Sequence, residues 1–387
     1  MVFKIFDIGG SFLKMYSSNG GITSIPIPTT NTLSINEIKE YIRSNIDEST
    51  EYVGLSSQMH GVVALSESKQ ITDFITWKHS SPECILNDTT FDDFSRTGLQ
   101  KRSDLPINNL FNILRSIKDK PRLVRFRNIT EAILDVCNEK THFTMACGSG
   151  FYDLTDKSYI TKYIDFFKKN LDIDLSFDSV ANEVCVSGYM NVKGRLVPVY
   201  TGIGDFQASV LGCNLLSRTL YVNMSTGSQI ALIEERPYLH QGLSCRPFFN
   251  NQYLKCYTHI PCGKFLIKIH DALSLRGIDF WQSIKTITHD TFFESNEHVS
   301  IEDKESMTTN DVVMIFRGFI FQYIDIIRNQ GFEFDSIFLS GGIPKRLPII
   351  KHIFEKEFGV FVNLHSDEDD SIRGVQHLLQ TRKEKCD

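Results

Sequence analysis

Residues 7 to 14 read Asp7-Ile8-Gly9-Gly10-Ser11-Phe12-Leu13-Lys14, an acid at the end of one apolar run, a Gly/Ser turn, and a lysine inside the next run. The pattern predicts a buried strand over 2–8, a tight turn, and a returning strand over 12–16 that stops at Asn19-Gly20-Gly21. A turn of this kind exposes backbone N–H groups that can face phosphate oxygens, and Asp7 stands where a divalent cation could be held. An ordinary hairpin with an acid in it fits the same residues.

Working outward, Ser34 can cap a helix that keeps Ile35, Ile38, Ile42 and Ile46 on one face, and a strand resumes over 52–55. Three strands, a helix and a strand make an α/β beginning. An α-rich middle follows. Strand character returns at 196–201, a helix at 205–213, and a hairpin at 219–224 and 229–234 around Ser225-Thr226-Gly227-Ser228. That second hairpin repeats the opening device roughly two hundred residues later, a hint of duplication. A long amphipathic helix over 310–329, a strand over 336–339, the turn Ser340-Gly341-Gly342 and a helix over 347–358 complete the reading. Lys193-Gly194-Arg195 interrupts two hydrophobic runs, so the chain is divided there into 1–195 and 196–387.

The length of 387 residues suits two domains at roughly 150 residues each. Hydrophobic residues at 41% and charged residues at 23% exclude a disordered, collagenous or coiled-coil chain. The net charge of −6 argues against a nucleic-acid surface and for small-molecule partners. The basic stretch Lys118, Lys120, Arg122, Arg125, Arg127 reads as a solvated face. Nine cysteines, odd in number and without a CxxC pair, predict reduced thiols and a cytoplasmic location. No apolar run reaches the roughly 18 residues that cross a bilayer, so no membrane partner is expected.

The P-loop, the dinucleotide glycine motif, the G-x-S-x-G elbow and the H-E-x-x-H helix are all absent. What remains is spread along the chain. Gly202-Ile203-Gly204-Asp205 puts an acid at a strand-to-helix junction, where it can be an N-cap, a general base for an attacking hydroxyl, or both. Ser57-Gln58-Met59-His60-Gly61 follows a strand; Gln58 and His60 suit hydroxyl groups and Met59 a carbon face, although a lone histidine also serves structural ends. Gly341 and Gly342 allow backbone to approach a nucleoside, or simply make a turn.

Together these motifs resemble the FGGY family of carbohydrate kinases, and within it the sedoheptulokinase branch. The stretch from Asp7 to Lys14 is similar to the family's first phosphate motif, Ser57 to Gly61 to its ketose-binding stretch, and Gly204-Asp205-Phe206-Gln207-Ala208-Ser209-Val210 to its catalytic segment. Asn223-Met224-Ser225-Thr226 resembles the second phosphate motif and Gly341-Gly342 the adenosine motif. The resemblance implies a two-domain α/β fold of the actin/hexokinase, ribonuclease H-like type with a central cleft. It also implies ATP and Mg2+ as cofactors, and transfer of the γ-phosphoryl group to the terminal hydroxyl of a ketose, sedoheptulose giving sedoheptulose 7-phosphate. By residue, it implies Asp7 near the magnesium and Gly9, Gly10, Ser11, Lys14, Thr226 and Gly227 near the phosphates. Gly341 and Gly342 fall near adenosine, Gln58, Met59 and His60 on the sugar, and Asp205 at the base position.

Some positions depart from the family pattern. Lys78-His79-Ser80-Ser81 after Trp77 lacks an expected acid and an expected base, Gly10 and Ser225 replace Thr and Gly, and Pro344-Lys345-Arg346 ends the adenosine motif differently. The chain also looks trimmed between about Cys262 and Asn310. These changes motivate a second class of function, a kinase-like sugar- or nucleotide-binding protein with poor turnover, beside a pentulose (xylulose or ribulose) kinase.

Overall fold

The computed structural model describes residues 2–67, 69–225, 227–239, 242–287, 292, 309–365 and 369–383. Two sheets share one design. In the first, β1 (Val2–Ile8), β2 (Phe12–Ser17) and β3 (Gly21–Pro26) form an antiparallel meander, helix α1 (Ile35–Ser44) crosses, and β4 (Thr50–Ser57) returns parallel to β1. The hairpin β5 (Val186–Val192) and β6 (Arg195–Tyr200) extends the sheet beyond β4, and the short pair Ile203–Gly204 joins the end of β4. Lys193 and Gly194, where the chain was expected to divide, are the turn of this hairpin.

In the second sheet, β7 (Thr219–Asn223), β8 (Ser228–Glu234) and β10 (Tyr253–Ile260) form the meander, with β9 (Ser244–Pro247) on its outer edge. Helix α3 (Thr309–Asn329) crosses, and β11 (Ser336–Ser340) returns parallel to β7, followed by β12 (Phe361–Leu364). The two Gly/Ser turns therefore occupy equivalent corners of a repeated unit, the duplication expected from the sequence.

Each sheet has its own core. Ser34 accepts from Glu37 N at 3.3 Å to cap α1, whose Ile35, Ile38 and Ile42 are buried against Phe6, Val53 and Leu55 of the first sheet. In α3, Val312, Phe316, Ile320, Tyr323 and Ile327 keep a helical spacing and are buried against Leu220, Val222, Ile337 and Leu339 of the second sheet. Each such side chain contributes roughly 1.5–3 kcal/mol. Between the sheets lie α2 (Asp205–Gly212) and α4 (Asp370–Lys383), in a core of Ile5, Phe206, Ala208, Tyr221, Phe338, Ile372, Val375 and Leu379. These helices meet backbone to backbone: a β-carbon on Gly212 would stand 2.0 Å from the Asp370 carbonyl oxygen, and one on Gly374 2.0 Å from that of Ala208.

The middle of the chain corrects the expectation of an α-rich region. A four-stranded sheet, ordered 174–177, 123–127, 63–66 and 69–70, packs with the helices Pro106–Ser116 and Thr161–Leu171 around Phe91, Phe94, Phe111 and Phe167.

Candidate active site

The site forms where strands of the first sheet end together. Register sets Asp7 of β1 opposite Ser56 of β4 and Lys14 of β2, and pairs Ile203 and Gly204 with Ser56 and Ser57. Asp7, Gln58 and Asp205 therefore emerge at one edge, beyond the carboxyl ends of parallel strands where open α/β sheets hold ligands. Asp7 is buried; it accepts from Ser56 Oγ at 2.7 Å, and Lys14 Nζ is 3.4 Å away. Lys14 also pairs with Asp369 at 2.7 Å. Burial works against the Lys14 charge, but the Asp7 and Asp369 carboxylates outweigh it and hold the pKa above its ordinary value.

Ser371 Oγ lies 2.7 Å from both Asp7 Oδ2 and Asp369 Oδ1 with one proton to donate. By sequence alone the acidic run Asp367 to Asp370 reads as a solvated loop before the last helix. The structure corrects this: Asp369 enters the site, while Asp370 accepts from Ser340 Oγ at 2.7 Å and pairs with His365 at 2.7 Å. Asp367 lies outside the described residues.

Gly204, not Asp205, is the N-cap of α2; Asp205 is its first helical residue and accepts from the Phe206 amide at 2.8 Å. Burial, and then the negative charge of Asp7, push the Asp205 pKa up to about 7. Met59 packs on Gly204, where a β-carbon would meet its sulfur at 2.8 Å. His60, at φ +61°, contacts the Gly148 carbonyl through Nδ1 at 3.0 Å. A carbonyl only accepts, so Nδ1 carries the proton and Nε2 presents a lone pair. Burial and the nearby Arg246 and Arg102 cations hold the His60 pKa well below its ordinary value, keeping it neutral.

Arg246 of β9 is the residue that ties these groups together. It is buried, places Nη1 3.7 Å from Met59 Sδ and Nη2 3.5 Å from His60 Nε2, and stacks on Phe206 at 5.0 Å. Gln58 faces the first Gly/Ser turn: its Nε2 donates to the Gly9 carbonyl at 3.0 Å, and its Oε1 is buried without a hydrogen-bond partner among the described residues.

In the first Gly/Ser turn, Gly9 N donates to Phe12 O at 3.0 Å and leaves Gly10 and Ser11 at the tip. The second turn starts at Met224, whose amide donates to Ser340 O at 2.8 Å, and its Ser225 hydroxyl donates to Asn223 Oδ1 at 2.6 Å and contacts Gly227 O at 3.1 Å. Thr226 lies outside the described residues. Gly341 has φ +99°, and a β-carbon there would strike the Met224 carbonyl oxygen at 2.4 Å, so only glycine fits and the two turns adjoin. Gly342 opens a short helix, Gly342–Arg346, rather than a turn.

The fold that carries these residues is shared with solved sugar kinases. The chain superposes on xylulose kinase from Lactobacillus acidophilus with TM-score 0.76 over 98% of this chain and 89% of that one, at 17% identity. The fold is that of the sugar kinases, the actin/hexokinase type of ATPase. Xylulose kinase from Rhodospirillum rubrum gives TM-score 0.76 at 13% identity, covering 99% of this chain and 90% of that one. Plasmodium falciparum glycerol kinase with ADP gives 0.74 at 13%, covering 98% and 90%. The sequence matches no family model and no curated protein. No helix among the described residues is long and apolar enough to cross a membrane.

Sequence reasoning missed Arg246, Asp369 and Ser371. Arg246 sits in a four-residue edge strand without a motif, and Asp369 was indistinguishable from its acidic neighbours. The signal that existed was the pair of acids just ahead of a helix bearing Gly374, since a helical glycine marks a close crossing.

Proposed function

We propose that the chain is an ATP- and magnesium-dependent carbohydrate kinase that phosphorylates the terminal hydroxyl of a ketose, with sedoheptulose giving sedoheptulose 7-phosphate as the first candidate. The observation that carries this reading is Asp205, a half-buried carboxyl at the start of α2 whose pKa burial and the nearby Asp7 charge raise to about 7, directly after the Gly204 on which Met59 packs. A base poised near the working pH is what removal of a hydroxyl proton needs. In this reading the sugar oxygen bonds to the γ-phosphorus, the bond to the β-phosphate oxygen breaks, the proton goes to Asp205, and ADP leaves. Residues 1–195 supply the sugar contacts and the first phosphate turn; 196–387 supply the base, the second phosphate turn with Thr226 and Gly227, and the adenosine turn.

The donor set fits a magnesium ion. Asp7 and Asp369 share one lysine, Lys14, and the Ser371 proton cannot serve both carboxylates. Hard oxygen ligands of this kind suit Mg2+, which Asp7 and Asp369 would hold and which would neutralise phosphate charge. A pentulose acceptor is the second reading, supported by the xylulose kinases among the structural neighbours. Measuring magnesium-dependent ATP consumption with sedoheptulose, xylulose, ribulose and glycerol tests both. Turnover on a ketose is the expected result, and ligand binding without turnover on any of them would mark a binding protein instead.

A further inference from the structure

Two lysines stand beside the two Gly/Ser turns, neither paired with a carboxylate among the described residues. Lys78 Nζ donates to the Gly10 carbonyl and lies 5.8 Å from the Trp77 ring centroid. The Trp77 indole in turn packs over Gly10, where a β-carbon would meet its Nε1 at 3.3 Å. Lys264 comes from the other sheet. It is the second residue of the helix Gly263–Ser274, whose first amide, Gly263 N, donates to the Ser225 carbonyl at 3.0 Å, so this helix begins on the second turn. Lys264 is exposed, and no ion pair joins either lysine to a carboxylate among the described residues. The two cations work against each other: burial, and then the Lys264 charge, hold the Lys78 pKa below its ordinary value.

Like charges on facing walls of a cleft oppose its closure until a polyanion enters between them. Lys14, the cation that the sequence singled out, is already committed to Asp7 and Asp369. The transferring phosphoryl group spreads charge over three oxygens and needs donors that are free to meet it.

We propose that Lys78 and Lys264 form a two-sided clamp for the transferred phosphoryl group, with Lys78 touching its oxygens as it moves from ADP to the acceptor. This rests on the kinase reading and assigns part of its transition-state charge. In the closed complex Lys78 turns one N–H from the Gly10 carbonyl to a phosphoryl oxygen while its other protons stay with the turn. No proton leaves either lysine, so the bonds made and broken are those of the transfer itself.

The test uses the full chain and its Lys78→Met, Lys78→Arg and Lys264→Met variants. Calorimetry measures MgADP alone and MgADP with aluminium fluoride, a planar stand-in for the phosphoryl group, each in the presence of the best acceptor sugar. Wild type is expected to bind the fluoride complex at least about tenfold tighter than MgADP alone. Lys78→Met loses that enhancement, keeps MgADP affinity within about twofold, and lowers kcat by about 10–100-fold with the sugar KM little changed. Lys78→Arg keeps most of both. Lys264→Met, an exposed change that leaves the fold intact, shows the same loss to a smaller degree and decides the matter should Lys78→Met fail to fold. Retention of kcat and of the fluoride enhancement in the folded methionine variants overturns the clamp and leaves the kinase reading standing. A wild-type chain that neither binds MgADP nor consumes ATP overturns both.

Discussion

Asp205 carries a cost that can be measured apart from catalysis. Its pKa of about 7 in the folded chain stands well above the roughly 3.9 of a free aspartate, so its ionised form is disfavoured by folding. Stability is therefore lost progressively as pH rises from about 4 to 7, and the loss is complete above that. Asp205→Asn should be more stable than wild type at pH 8 by about 1–3 kcal/mol and so melt at a higher temperature, with little difference at pH 4. The same variant should lose about 10²–10⁴ in kcat. Thermal melts at both pH values and a steady-state assay check the two halves, and a stabilised variant that keeps its turnover removes Asp205 from the base position. Wild-type kcat/KM should rise with pH and level off above about 7. At this scale the sequence was readable where chemistry follows a turn: Asp7 and Lys14 form an ion pair, and Met59 and His60 lie together against Arg246. It was silent on Arg246, because an arginine that stacks on Phe206 and reaches Met59 looks like any surface cation until the sheets are assembled.

Among the elements, the crossing of α2 and α4 is the most sensitive. A methyl group at Gly374 must displace the Ala208 backbone, not a pliable side chain, or push back its own helix, which begins at Asp370 next to the Asp369 that holds Lys14. Gly374→Ala should destabilise by about 2–3 kcal/mol and weaken nucleotide handling. Gly318→Ala is the control: it lies in α3 with nothing within 4 Å of the added carbon, and should be neutral or stabilise by up to about 1 kcal/mol. Differential scanning calorimetry on both separates the crossing from a general intolerance to change. Strands and amphipathic helices were legible because their periods are local. The four-stranded sheet of the middle region was not, since its strands of two to five residues leave too short a pattern to tell from loops.

For the molecule as a whole, the repeated meander, helix and parallel strand places one Gly/Ser turn on each sheet, with α2 and α4 between them. A ligand that touches both turns has a reason to draw them together. Small-angle scattering should record a smaller radius of gyration with MgADP and the acceptor together than with either alone, and an unchanged radius in every state would argue for a rigid cleft. The duplication was visible in the sequence as two similar turns, but the return of α4 to β1 was not, because contact between such distant segments has no local signature. That return has a consequence for how the protein is made. Ser371 reaches Asp7 across 364 positions of sequence, so a nascent chain exposes its first Gly/Ser turn long before the partner that packs against it has been translated. A message cut short upstream of that serine yields a polypeptide with most of its fold written and the Asp7 carboxylate lacking its hydroxyl donor.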